Sequence, residues 1–516
     1  MSDERYPSKV VRRTYATALG EQLEQLETDE LVLRFAASRE SLSSDRHRPL
    51  YHYVPPEGPS NDPNGFLIWQ DRFHLFYQQY PPEDRRQHWG HAVSDDLVYW
   101  RDLPIAIYPG VEERCHSGGA FVEEDRAMVC YHGTQAGTII AESSDPLLLN
   151  WEKISGGPVI REVEDGQPGD PYALGDPCLW KGEKGYYSLS GSRDAGTHLV
   201  DCTPLPHLFF SEDLRNWEYR GPFLEGNIFT SPGEDCAVPY FWPLGDRHIL
   251  IFGSHMRGSQ YLLGDWNEEA GKFTPFAYDR FCCGPINNGG INAPTAYPDG
   301  EGGVYLWHMM SYGLITGDWN GIMTLPTRLR LDGSTVMNEP VEALDKLRED
   351  HRQIGEMRLP ANQDVLLEEI AGDSIEMIAR IDPGAAREVS IDVLRSPDGA
   401  ETTSLRYLKN GGTVKSKGPE TWHDIVILDI GRSSLLPNVL PRPPETANFK
   451  LAEDEVLELR IFVDRGIVEL FANGRRHLAV RVHPGREDSV GVSIRAQGGE
   501  AVLRSLDAWR MRSIWD

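Results

Sequence analysis

A carboxylate that takes part in chemistry needs suitable company, and the string Ser60-Asn61-Asp62-Pro63-Asn64-Gly65 supplies it. By itself Asn-Asp-Pro-Asn-Gly reads as a tight turn, because Asn, Asp and Gly tolerate left-handed backbone and Pro presets φ. Here the turn lies between Tyr51-His52-Tyr53 and Phe66-Leu67-Ile68-Trp69. An acid, amides and aromatic rings held together are also the materials of a sugar site. Other chemistries find no matching pattern. Asn288-Gly-Gly290 and Asn410-Gly-Gly412 lack the spacing of a phosphate loop and read as turns. The 16 His include no HExxH, and His88 with His91 has no obvious third ligand, so no catalytic metal is expected. A G-x-S-x-G nucleophile elbow is missing too. No cofactor is expected.

Further strings follow Asp62 in a telling order: Phe76-Tyr77-Gln78, Trp89-Gly90-His91-Ala92, Ser94-Asp95-Asp96-Leu97 with Trp100, and Cys115-His116-Ser117-Gly118-Gly119-Ala120. Later come Thr324-Leu-Pro-Thr-Arg-Leu-Arg-Leu-Asp-Gly333 and Leu459-Arg-Ile-Phe-Val-Asp-Arg465. Over roughly residues 48–516 the chain resembles glycoside hydrolase family 32, which holds invertases, inulinases, levanases and related fructosyltransferases. Ordered motifs across nearly a whole chain are far more specific than one match.

The resemblance implies an all-β molecule, a five-bladed β-propeller with a C-terminal antiparallel β-sandwich, and a site in the axial funnel. It implies Asp62 as nucleophile, Asp176 as the acid that holds fructose hydroxyls and steadies the transition state, and Glu234 as general acid/base. Asp235 is the rival for that last role. Asn61, Gln78, Trp89 and Ser117 match positions that contact the fructosyl ring, and Trp307 is expected to line the funnel. For Trp89 a core position is an equal expectation, since buried Trp is common in propellers.

The sequence departs from the family pattern in places. Pro59-Ser60 stands where the family has Trp-Met. Gly175 replaces the Arg of its Arg-Asp-Pro motif, so a substrate-holding cation is missing or comes from elsewhere. Asp170 and Asp194 compete with Asp176 for the middle acid. Gly233-Glu234-Asp235-Cys236 needs extra residues before Pro239.

Retaining glycosidases use an ionised carboxylate and a protonated one about 5–5.5 Å apart. Acids at 62, 176 and 234 belong to different segments, so only a radial fold would gather them. The expected reaction is release of terminal β-fructofuranosyl units from sucrose or short fructo-oligosaccharides by double displacement. The alternatives are fructosyl transfer, including closure to a difructose anhydride, and a non-catalytic fructan-binding propeller.

The elements that must position these residues are short strands. From 46 to 345, β-rich runs such as Phe73-His-Leu-Phe-Tyr77 and His248-Ile-Leu-Ile-Phe252 alternate with Gly, Pro, Asn and Asp turns. A degenerate repeat recurs in Ser94…Trp100, Ser143…Trp151 and Ser211…Trp217, with Trp spacings of 51 and 66 residues. That suits four-stranded blades. Residues 1–45 are polar with helically spaced Leu, as one or two short peripheral helices. Residues 346–364 are charged and read as a linker, entered by a helix from Val341. From 365 to 516 the alternation is clean, with Asn473-Gly474 as a hairpin turn.

Composition bounds the partners. The 516 residues carry 51 Lys+Arg against 79 Asp+Glu, a formal net charge of −28. Nucleic acid and anionic membranes both require a positive face, so neither is an expected partner. Hydrophobic residues at 40% and charged ones at 25% describe a folded globular protein. Seven scattered Cys without a CxxC argue against a disulfide framework. An N-terminus without an apolar h-region and the lack of an 18-residue apolar run make a cytoplasmic protein the expectation. Self-association into a homo-oligomer stays open.

Overall fold

A computed structural model of the chain describes residues 5–161, 174–191, 206–230, 234–286, 288–310, 313–314, 319–411 and 423–515. The rivals Asp170 and Asp194 lie outside them. Five antiparallel sheets of four or five strands follow one another between Ser60 and Pro340. Their first strands are Ser60–Trp69, Cys115–Val122, Pro177–Lys181, Ala237–Leu244 and Ile291–Pro298. Each first strand touches the first strands of the two neighbouring sheets, and the fifth touches the first, so they form a closed ring. The expected five-bladed propeller is the observed one.

The Ser-x-Asp-Leu…Trp repeat is a joint inside the blade. It carries the chain from the third strand towards the fourth. The Asp caps the loop: Asp96 Oδ1 accepts from Val98 N and Tyr99 N at 3.0 Å, and Asp213 Oδ1 accepts from Arg215 N and Asn216 N at 2.9 and 2.8 Å. The Leu is buried with left-handed backbone, φ being 68° at Leu97, 53° at Leu148 and 65° at Leu214. The cost of that conformation for a branched side chain is offset by burying it. The repeat therefore marks blades by their turns.

Among the described residues every blade comes from one contiguous stretch of chain, and no strand crosses from the last blade into the first. The seam is held by packing and by a few bonds, among them Phe66 N donating to Thr295 Oγ1 at 3.0 Å. Tyr240, in the fourth blade, bridges the inner strands of the first two. Its hydroxyl accepts from Gly65 N at 3.2 Å and donates to Gly118 O at 2.8 Å. Such close approach explains the glycines. A Cβ on Gly118 would sit 1.9 Å from Cys130 O, and one on Gly65, whose φ is +68°, 2.9 Å from Ala120 Cβ.

The C-terminal region is a sandwich of a seven-stranded and a six-stranded antiparallel sheet with an aliphatic core between them. Asn473 and Gly474 have φ of 46° and 62°, as a turn with left-handed central residues requires. The stretch read as a linker differs from expectation. Only Glu342–Leu347 is helical, as a 3₁₀ helix, while Arg348–Ile354 and Met357–Leu359 are strands of the seven-stranded sheet, paired with Ala501–Met511. Their polar faces are exposed at a sheet edge, where charged side chains discourage further pairing. That is why composition alone reads them as a connector.

Two helices precede the propeller, α1 (Leu19–Glu27) and α2 (Glu30–Leu42). Asp29 caps α2 by accepting from Leu31 N and Val32 N at 2.9 and 3.2 Å. Leu19 and Leu26 lie against Val93, Leu103 and Leu147 on the outside of the first two blades. No helix among the described residues is long and apolar enough to cross a membrane.

The sandwich grips the propeller through buried charge. Asp464 accepts from the amides of Leu50, Tyr51 and His52 at 2.7, 2.8 and 2.9 Å and from His52 Nδ1 at 2.8 Å. Glu469 meets His52 Nε2 at 3.1 Å and His477 Nε2 at 2.7 Å, and accepts from Leu325 N at 2.9 Å. His52, Asp464 and Glu469 are wholly buried.

Candidate active site

The inner strands begin at one end of the ring and the second strands finish there, so strand ends converge on the axis. A cavity of about 290 Å³ opens there. Asn61, Asp62 and Gln78 of the first blade line it, with His116 and Ser117 of the second and Asp176 beside the third. Val238, Ser254 and His255 come from the fourth blade and Asn292 from the fifth. The pairing register slips at the start of four of the five inner strands, between Ser60 and Phe66, Cys115 and Gly118, Ala237 and Tyr240, and Ile291 and Pro294. Such bulges re-aim side chains out of the pleat, here at the residues that face the cavity.

A relay of hydrogen bonds surrounds Asp62. Asn61 Nδ2 donates to Gln78 Oε1 at 3.3 Å, Gln78 Nε2 donates to Ser117 Oγ at 2.6 Å, and Ser117 Oγ donates to Asp62 Oδ2 at 2.6 Å. Burial raises the Asp62 carboxyl above its ordinary value, against the lowering effects of Ser117 and of the His255 charge. Asp176 Oδ2 accepts from Val238 N at 3.2 Å, which ties the third blade to the fourth.

The adjacent acids of the fourth blade point to different partners. Glu234 Oε2 accepts from Gln260 Nε2 at 2.9 Å and from Arg257 at 3.1 Å, and its Oε1 accepts from Asp235 N at 3.2 Å. Burial and the neighbouring Asp235 charge raise the Glu234 carboxyl, although Ser254 and Gln260 pull the other way. Asp235 is buried, and its Oδ2 pairs with Nδ1 of His255. That bond, with help from Asp176 and Asp62, raises the His255 imidazole to about 9, so it is a cation at neutral pH.

Of the residues singled out in the sequence, Asn61, Asp62, Gln78, Ser117 and Asp176 are brought together by the structure, lining one cavity. Glu234 and Asp235 are not among its lining residues; both stand directly behind Ser254 and His255. Two tryptophans stand outside the cavity lining: Trp89 takes the core position that was one of its two expectations, and the expectation that Trp307 lines the funnel is corrected. Trp89 is fully buried, its Nε1 donating to His116 O at 2.9 Å, so it supports the funnel wall from behind. Trp307 is also buried, its ring 4.3 Å from that of Phe66 and 6.2 Å from that of Trp100. It seals the seam between the first and last blades.

Sequence reasoning missed His255, His116, Gln87 and Asn292. The available signal was positional: His255 directly follows the second strand of its blade, Arg247–Gly253, at the end where Gln78 closes the second strand of the first.

The chain belongs to glycosyl hydrolases family 32, whose N-terminal domain model matches residues 52–340 and whose C-terminal domain model matches 343–510. It is a glycoside hydrolase of the β-fructofuranosidase type. It is similar to the sucrose-6-phosphate hydrolase of Escherichia coli, 27% identical over 507 residues that cover 90% of this chain and 94% of that one. The levanase of Bacillus subtilis is 25% identical over 534 residues, covering 94% and 74%. Among solved structures, fructan 1-exohydrolase IIa from Cichorium intybus superposes with a TM-score of 0.77 at 21% identity, over 91% of this chain and 98% of that one. At that identity the likeness concerns the fold.

Proposed function

We propose that the protein releases terminal β-fructofuranosyl units from sucrose or short fructo-oligosaccharides with retention at the anomeric carbon. Asp62 attacks that carbon and forms a fructosyl ester as the glycosidic bond breaks. Glu234 gives its proton to the departing oxygen, then takes one from the water that cleaves the ester, regenerating Asp62. Asp176 accepts hydrogen bonds from sugar hydroxyls. The two reacting carboxyl groups need opposite protonation at one pH. Ser117 and the His255 charge favour ionised Asp62, while burial and Asp235 favour protonated Glu234.

The observation that carries this reading is the convergence of Asn61, Asp62, Ser117 and Asp176, from three blades, on one polar cavity. Among the described residues lining it there is no Lys or Arg, and the His255 charge is paired with Asp235, which favours neutral fructosides over phosphorylated ones. Transfer to a sugar acceptor is not favoured, because the curated relatives named above are hydrolases. The test is Asp62→Ala assayed on sucrose, kestose, inulin and levan with products identified. Turnover should fall at least about a thousandfold on every substrate, and retention of a tenth of wild-type activity on any of them would overturn the assignment.

A further inference from the structure

His255 occupies an unusual place for an ionisable side chain. Its ring is 70% exposed although its carboxylate partner, Asp235, is 1% exposed, so the charge projects from a buried anchor into open cavity. The backbone beneath it is fixed. Ser254 N donates to Gly258 O at 3.1 Å and Gly258 N returns to Ser254 O at 2.8 Å. Ser254 Oγ also accepts from Met256 N and Arg257 N at 3.2 and 3.1 Å. His255 N itself donates to Asp235 Oδ1 at 3.3 Å. With Nδ1 committed to Asp235, Nε2 has no hydrogen-bond partner among the described residues.

The groups around the ring come from four blades. Asp235 stands behind it, Asp176 and Asp62 act on its charge, and His116 lines the same cavity. Glu234, next to Asp235 in the chain, is paired with Arg257 at 3.1 Å. A cation here is opposite the acids that must handle the sugar, and Gly175 next to Asp176 contributes no charge of its own.

We propose that His255 is a substrate-binding cation of this funnel: Asp235 fixes its ring through Nδ1, and its Nε2–H donates to a hydroxyl of the fructosyl unit while its charge keeps Asp62 ionised for attack. This rests on the reaction proposed above. Charge-assisted hydrogen bonds are roughly twice as strong as neutral ones, so the bound hydroxyl loses affinity when the charge is removed.

The experiment compares wild type with His255→Gln, whose exposed position spares the core, on a fructoside that wild type hydrolyses. KM should rise about tenfold, in line with loss of one hydrogen bond to a charged group. The acid limb of kcat/KM should move to higher pH as Asp62 loses its neighbouring charge. A merely structural role would not move that limb. KM and acid limb both within twofold of an active wild type would overturn the proposal and leave the reaction intact. Wild type that is as inactive as Asp62→Ala would instead defeat the reaction. In either event, imidazole NMR on the full chain reads His255 directly. Titration near 9 supports the locked cation, and titration near the ordinary histidine value refutes it.

Discussion

Ser117 donates its hydroxyl hydrogen to Asp62 Oδ2 over 2.6 Å, across the joint between the first and second blades. The bond is made by two residues that are each placed by a bulged strand start, so the nucleophile is stabilised by a neighbour its own blade does not supply. Ser117→Ala removes this donor and leaves Gln78 Nε2 only its longer bond to Asp62 Oδ2, at 3.5 Å. Asp62, already raised by burial, then rises further. Hydrogen bonds to charged groups contribute about 1.5–3 kcal/mol, so kcat/KM should fall about 10- to 100-fold near neutrality. The loss should shrink at higher pH. A flat ratio across the pH range would contradict this account.

The two adjacent acids of the fourth blade can be separated. Glu234→Gln should cost about 10²–10⁴ in kcat on natural fructosides, and much less on a substrate whose leaving group needs no proton. Asp235→Asn should lower kcat far less than Glu234→Gln does, while raising KM and bringing the His255 titration down from about 9. If Asp235→Asn is the variant rescued by a good leaving group, the roles are exchanged.

The pH profile follows from signs alone. Asp62 must be ionised and its carboxyl is raised, so activity is lost as pH falls through a value above the usual aspartate range. Glu234 must be protonated and is also raised, so activity survives above the usual glutamate range before failing. The bell of kcat/KM against pH should therefore lie to the alkaline side of one built from unperturbed carboxyls. A bell centred at or below the ordinary carboxyl values would refute both placements.

Stability has its own window. Burial by itself would lower His52, but Asp464 and Glu469 on its two ring nitrogens raise it to about 9. A raised histidine contributes fully below its unfolded value and loses the contribution as pH climbs through about 9. Burial would raise Glu469, yet His477 and His52 lower it to about 2, so its contribution is lost only as pH falls towards that value. His52→Ala takes the buried cation from Asp464, which keeps only backbone donors, and leaves Glu469 with His477 as its one charged partner; it should destabilise by about 3–5 kcal/mol. Denaturant melts at pH 7 and pH 10 check this, and the variant's penalty should be smaller at pH 10.

Trp307→Phe separates packing from binding. The ring is buried between Phe66 and Trp100, so the melting temperature should drop while KM changes less than about twofold, since the side chain has no access to the cavity. A large KM change without destabilisation would restore the role expected from sequence.

What was legible in the sequence was local. Asn61-Asp62-Pro63-Asn64-Gly65 carries turn chemistry, acid and amide in one window, and Ser117 sits in a glycine-rich strand start whose close packing shows as Gly118-Gly119. His255 was not legible, because its meaning depends on Asp235, Asp176 and Asp62, none within one strand of it in sequence. Trp89 stayed ambiguous for another reason. Every residue of His88–Ser94 is buried, so alternation cannot tell which face meets the cavity and which meets the next blade. The polar strand Arg348–Ile354 escaped because an edge strand over a neighbouring sheet needs little apolar pattern.

The grip of Asp464 on His52 joins residues 412 apart in the chain. Chains are made from the N-terminus at about 5–20 residues per second. The blades can be complete for many seconds while the anchor for their first segment has yet to emerge. Until then the amides of Leu50, Tyr51 and His52 lack the carboxylate that holds them in the finished molecule. A nonsense codon between 346 and 464 thus leaves every propeller residue in place and still takes away the anchor of its first segment.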